Sequence, residues 1–213
     1  MKTLHVDSIP YTSSMNDYSS FKNQLENIAW HDLDVANWRN KYPYAPQAKF
    51  QIAHHNQAII LHYEIKENFV KAQYIRHNEA VWEDSCVEFF VSFDEREHYY
   101  NFEFNPLGTG LIGYGPATKN LRNRLTPEEI NQVSTYTQLS SIQGDKIWSM
   151  ILCIPVTVFI HTPLSSLSGL KAHANFYKCG DKLPDPHFLS WNPIDHPSPN
   201  FHLPAYFGSV EFK

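Results

Sequence analysis

Hydrophobic and polar positions alternate with a period of two through most of the chain after residue 45, the spacing that puts successive side chains on opposite faces of a strand. Ala48 to Ala53 and Ala58 to Ile65 are two such runs, and His54, His55, Asn56 and Gln57 between them predict a hairpin turn. Phe69 to Ile75 predicts a third strand, Ser85 to Phe93 a fourth and His98 to Asn105 a fifth, the last two joined by the charged loop Asp94 to Glu97. Residues 134–141 and 145–154 read as another hairpin with Gly144-Asp145 at its turn. Leu170 to Lys178 and Phe207 to Phe212 complete the set. Helix is scarce. Thr126-Pro127-Glu128-Glu129 carries an N-cap, a proline at the first helical position and a capping-box glutamate, so a short helix ends near Val133. Pro155 to Ile160 predicts one further turn.

Between Lys178 and Pro204 stand Pro184, Pro186, Pro193, Pro197, Pro199 and Pro204. Proline removes a ladder donor, so this stretch is an ordered loop rather than a central strand. Residues 1–45 are mixed and polar, with Tyr11, Phe21, Trp30, Trp38, Tyr42 and Tyr44 as scattered anchors. They read as an N-terminal extension packed on one domain spanning 1–213, with no internal repeat or linker. Many short strands with turns between them predict an all-β fold, a β-sandwich or jelly roll of antiparallel strands with one or two short helices.

Alternation also sorts the polar groups. Asn101, Glu103 and Asn105 share one face of their strand; Glu88 lies opposite Val87 and Phe89; His173, Asn175 and Tyr177 share a face. A solvated outer face ordinarily carries Lys, Thr, Ser and Arg. These three carry short carboxylates, amides and an imidazole instead, which points to a lined ligand groove as the alternative to a plain outer face. A sugar suits such a groove, since a flat ring stacks on its C–H face while Glu, Asn and His bond its hydroxyls. Trp82 and Phe201 are the aromatics placed to stack, although large aromatics are more often core anchors.

Composition narrows the classes. Aromatics make up 15% and charged residues 18% of the chain, too apolar for long disordered tails. A net charge of −5 argues against a nucleic-acid partner, which would show a basic footprint. No run approaches the roughly 20 apolar residues of a membrane span, so membrane insertion is not expected. Cys86, Cys153 and Cys179 lack a CxxC spacing, and Cys86 and Cys153 read as small buried hydrophobes, with one disulfide plus one free thiol still open. Met1 to Ser20 lacks the pattern of a secretory leader, which fits a cytoplasmic chain or one written without its leader.

Trp82-Glu83-Asp84-Ser85-Cys86-Val87-Glu88-Phe89-Phe90, then Asn101-Phe102-Glu103-Phe104-Asn105, Ser190-Trp191, Asn200-Phe201-His202-Leu203-Pro204 and Phe207-Gly208 follow an order that resembles family 9 carbohydrate-binding modules, which occur attached to xylanases and other glycan-degrading enzymes. The likeness runs from Ile28-Ala29-Trp30 to the final strand. It implies a non-catalytic β-sandwich, extracellular or periplasmic, that grips the end of an oligosaccharide or polysaccharide between two aromatic planes. Trp82 matches one plane; Phe201 stands where the best-known members carry a Trp. Glu88 matches a hydroxyl-binding carboxylate, Asn105 a hydroxyl-binding amide, and Asn175 falls near a late-strand polar position. Glu103 stands where such modules can carry an Arg, exchanging a fork of donors for an acceptor. The family also implies structural calcium, for which the Asp94-Glu95 loop is the candidate beside its reading as a solvated turn. Two rival readings remain: a glycosidase using Glu88 and Glu103 as its carboxylate pair, and a sandwich holding haem or another hydrophobic ligand through His173 or His202.

Overall fold

The computed structural model describes residues 1–11 and 16–213. Among these, thirteen strands run in chain order: β1 (Thr3–Ser8), β2 (His31–Asp32), β3 (Gln47–His54), β4 (Ala58–Glu67), β5 (Cys86–Ser92), β6 (Tyr99–Phe104), β7 (Gly110–Gly115), β8 (Asn123–Arg124), β9 (Ser134–Ile142), β10 (Asp145–Pro155), β11 (Lys171–Cys179), β12 (Phe188–Ser190) and β13 (Gly208–Phe212). Hydrogen-bonded neighbours follow the path β8-β7-β6-β5-β11-β13-β1-β3-β4-β10-β9, with β12 on β11 and β2 on β3. The path folds into two layers at β1, whose first residues pair with β13 and whose last pair with β3.

Inward-facing residues of the two layers meet in one core. Val87, Phe89 and Val91 of β5, Tyr100, Phe102 and Phe104 of β6, and Phe176 of β11 pack against Phe50, Leu61, Tyr63, Trp148 and Met150 from the opposite layer. Phe50 stacks on Phe176 with ring centroids 3.9 Å apart. Tyr63 crosses the core and donates its hydroxyl to the Glu88 carbonyl at 2.7 Å. This is the expected β-sandwich, antiparallel except that β1 pairs in parallel with both β13 and β3.

The hairpins lie where local turn chemistry put them. Asn56 turns β3 into β4 at φ 71°, and Gln143-Gly144 turn β9 into β10 with both φ positive, the conformation a tight hairpin needs. Thr126 and Glu129 make both bonds of the capping box, on a helix α1 shorter than expected at Pro127–Ile130. A single 3-10 turn follows at Val156–Val158.

One expected strand is corrected, and the structure adds elements elsewhere. Phe69 to Ile75 is no strand: Lys71 N–H donates to Ser85 Oγ, and Gln73 and Tyr74 N–H donate to Asp84 Oδ2, so side chains rather than a ladder satisfy this backbone. Gly110–Gly115, where no strand is predicted above, is a full strand beside β6. Residues 1–45 are more than a packed extension. Besides β1 they contribute a helix at Tyr18–Gln24, capped by Asp17, whose Tyr18 and Phe21, with Leu25 just past its end, cover Ala53, Ile60 and Ile151 on the outer face of the second layer. Among the described residues no helix is long and apolar enough to cross a membrane.

Candidate functional site

The outer face of the first layer carries the site. Alternation turns Cys86, Glu88 and Phe90 of β5, Tyr99, Asn101 and Glu103 of β6, and Asn175, Tyr177 and Cys179 of β11 to this side. Register then sets Glu88 directly opposite Glu103 on one flank and Tyr177 on the other. The proline-rich segment after β11 folds back over this face. Between them lies a cleft of about 610 Å³, within the range of small-ligand sites.

Trp82, Glu88, Glu103 and Phe201 all line this cleft. Trp82 stands on a 3-10 turn at Val81–Glu83. The turn is tied to the end of β11 by the Asp181 N–H, which donates to the Trp82 carbonyl at 3.1 Å. Phe201 is only 8% exposed, because one face is stacked on Tyr177 at 4.1 Å and 10°. It is a core anchor that also reaches the cleft wall, not a free-standing plane.

Asn105 and Asn175 do not line the cleft. The Asn105 amide donates to the Tyr74 carbonyl and Asp84 Oδ2 and accepts from the N–H groups of Leu107 and Thr109. Asn175 accepts from the N–H groups of Phe176 and Asn192 and donates to the Asn192 carbonyl. These partners are protein groups away from the cleft, so both side chains hold neighbouring segments in place rather than line the recess.

Further residues complete the cleft. Asn101 donates to Glu103 Oε1 at 2.9 Å and accepts from Arg122 Nη2. Gly113, opposite Asn101, makes room for it: a Cβ there would sit 2.7 Å from the Asn101 oxygen. Arg122 lies 3.8 Å over the Tyr99 ring and donates to the carbonyls of Gly115, Pro116 and Tyr99. Alternation gives no signal for Arg122, Arg124 or Asp181, because all three come from turns or a two-residue strand.

Burial dominates the electrostatics. Glu88 and Glu103, 3% and 5% exposed, both have raised pKa values. Desolvation is the main cause in each, since it disfavours the charged form. Glu88 rises well above the carboxylate range, with the neighbouring Glu103 charge as the second cause. Glu103 rises to about 7, restrained by the Asn101 hydrogen bond. Asp181 is pushed up to about 6, again first by burial. A protonated Glu88 both donates and accepts, as a sugar hydroxyl does.

His202 lines the cleft and shares a hydrogen bond with the Tyr99 hydroxyl through Nδ1 at 2.8 Å; burial lowers its pKa to about 4. His173 is on the same sheet face but away from the cleft, beside Glu95. In the candidate calcium loop, Asp94 accepts from the Ser92 hydroxyl and the His98 N–H. The carboxylate and imidazole groups that converge there are Asp94, Glu97 and His98.

The fold, with its cleft on the outer face of one layer, is that of a β-sandwich binding module. A model of carbohydrate-binding family 9 matches residues 20–212, and the chain belongs to that family. A crystal structure of a Bacteroides uniformis protein, provisionally described as carbohydrate-binding, is 40% identical with a TM-score of 0.92, over 100% of this chain and 99% of that one. A family 9 module from Caldicellulosiruptor kristjanssonii in complex with glucose superposes with a TM-score of 0.62 at 13% identity, over 100% of this chain and 96% of that one. The cellotriose complex gives 0.60 at 11% identity, over 100% and 94%. No curated protein matches the chain.

Proposed function

We propose that the cleft on the outer face of the first layer binds the end of an oligosaccharide or polysaccharide chain, in the context of glycan breakdown. The observation that carries this reading is the convergence of Trp82, Phe201, Glu88, Glu103 and Asn101 on one recess in a chain of a carbohydrate-binding family. Structures of related fold in complex with glucose and cellotriose support a glucan-type ligand as the first probe. Trp82 offers the broader stacking surface and Phe201 the edge of a buried stack, while Glu103, Glu88 and Asn101 face the hydroxyls.

Titration calorimetry with cello- and xylo-oligosaccharides tests it. A chain-end binder shows one affinity for short and long oligomers. Trp82→Ala is expected to weaken binding by about 1–3 kcal/mol with the melting temperature little changed. Wild-type affinity in both Trp82→Ala and Glu103→Gln would sink the proposal.

One observation favours a second reading. Glu88 and Glu103 face each other with raised pKa values, and a glycosidase needs such a pair with one member kept protonated. Release of reducing sugar, abolished in Glu88→Gln, would establish turnover; binding with no release leaves the module reading in place.

A further inference from the structure

The cleft floor carries a second donor set, of which only Glu88 is shared with the proposed hydroxyl recognition. Cys86 on β5 and Cys179 on β11 are direct cross-strand partners. Both are free thiols, and both point to the same side as Glu88. One donor atom from each of Cys86, Glu88 and Cys179 lies within 4.8 Å of the other two. The Cys179 thiol donates to Glu88 Oε1 at 3.0 Å, and the Asp181 carboxyl borders the same thiol. Cys179, Glu88 and Asp181 line the cleft, so an ion reaches the set from solvent.

The chemistry of the donors selects the ion. Two sulfurs and a carboxylate are poor partners for calcium or magnesium and good ones for a borderline-soft divalent cation. With Zn–S near 2.3 Å and Zn–O near 2.0 Å, tetrahedral neighbours sit roughly 3.5–4 Å apart. The cluster meets that spacing by side-chain adjustments of about an ångström on two adjacent strands.

We propose that Cys86, Cys179 and Glu88 form a binding site for a zinc-class divalent cation, with the Asp181 carboxylate closing the set from the cleft wall. On binding, each thiol gives its proton to solvent as its sulfur bonds the metal, and Glu88 gives up its own where it is protonated. The site stands whether or not the cleft also holds a sugar, and it is tested without one.

The reduced protein is titrated with cadmium, whose thiolate charge-transfer band in the ultraviolet reports sulfur ligation, and then with zinc as competitor. The expected result is saturation at one equivalent, displacement by zinc, loss of the band in Cys86→Ser and Cys179→Ser, and retention in Cys153→Ser. Should the serine variants fail to fold by circular dichroism, Glu88→Gln decides, since it keeps both thiols and the side-chain volume. Its affinity is expected to fall at least roughly tenfold, the loss that even an outer-shell partner causes. No band in the reduced wild type, a band that vanishes with Cys153, or unchanged affinity in Glu88→Gln overturns the site.

Discussion

Glu103 shows how one buried residue sets a pH dependence. Its carboxyl titrates at about 7 in the folded chain against an ordinary value of 4.5, so between those values the folded state holds a proton that the unfolded state has lost. Stability from this group is complete below about pH 4.5 and declines as the pH rises through 7. Glu103→Gln removes the penalty. It is expected to melt higher than wild type at about pH 8, by the equivalent of roughly 1–3 kcal/mol, with the difference closing toward about pH 5; thermal melts across that range check it. His62 and His202 act in the opposite sense. Burial lowers each to about 4, so their contribution is complete above the ordinary value of 6.5 and is lost as the pH falls through 4. Acid and base arms of the stability profile therefore belong to different residues.

At the scale of elements, the cleft depends on how strands hold their loops. Asn175 on β11 ties down the backbone of Asn192 by two hydrogen bonds, midway along the proline-rich segment that carries Phe201. Asn175→Ala leaves those buried groups unpaired and is expected to cost about 2–4 kcal/mol, read by urea denaturation. Sugar affinity should fall as well, because the loop that carries Phe201 is released. This is also where sequence reading reaches its boundary. Alternation put Glu88 and Glu103 on one face and left Asn105 and Asn175 on that face too, but period alone does not separate a polar group facing a cleft from one facing loop backbone. The hairpins at Asn56 and Gly144 were legible because turn chemistry is local. β7 was not, because Gly113 is there for the sake of Asn101 on the next strand, a contact no local pattern encodes. Phe69 to Ile75 has the apolar content of a strand, but Asp84 and Ser85, more than ten residues downstream of its start, take its backbone donors.

Across the whole molecule, the two layers are joined by more than apolar contact. Lys178 of β11 is fully buried against Glu67 of β4 at 2.9 Å. It also donates to the Cys179 carbonyl and bonds His187 Nε2, while Trp148 donates its indole N–H to Glu67 Oε1 at 2.6 Å. Lys178→Met strands the carboxylate of Glu67 inside the protein and is expected to cost about 3–5 kcal/mol. The double variant with Glu67→Met should recover much of that loss, because two apolar side chains remove both desolvation costs. Chemical denaturation of the single and double variants checks both statements.

The position of β1 sets an order in time. Thr3 lies opposite Ser209 and Val6 opposite Phe212, so during synthesis β1 waits for a strand that lies far downstream in the chain. Until β13 emerges, β1 offers an unpaired parallel edge, and the seam between the layers stays open. Pairing of such distant segments is slow, because loop closure must precede any gain from the contact. The seam between the layers therefore closes only after β13 has been made, and the interval before it is when another nascent copy could donate the missing strand.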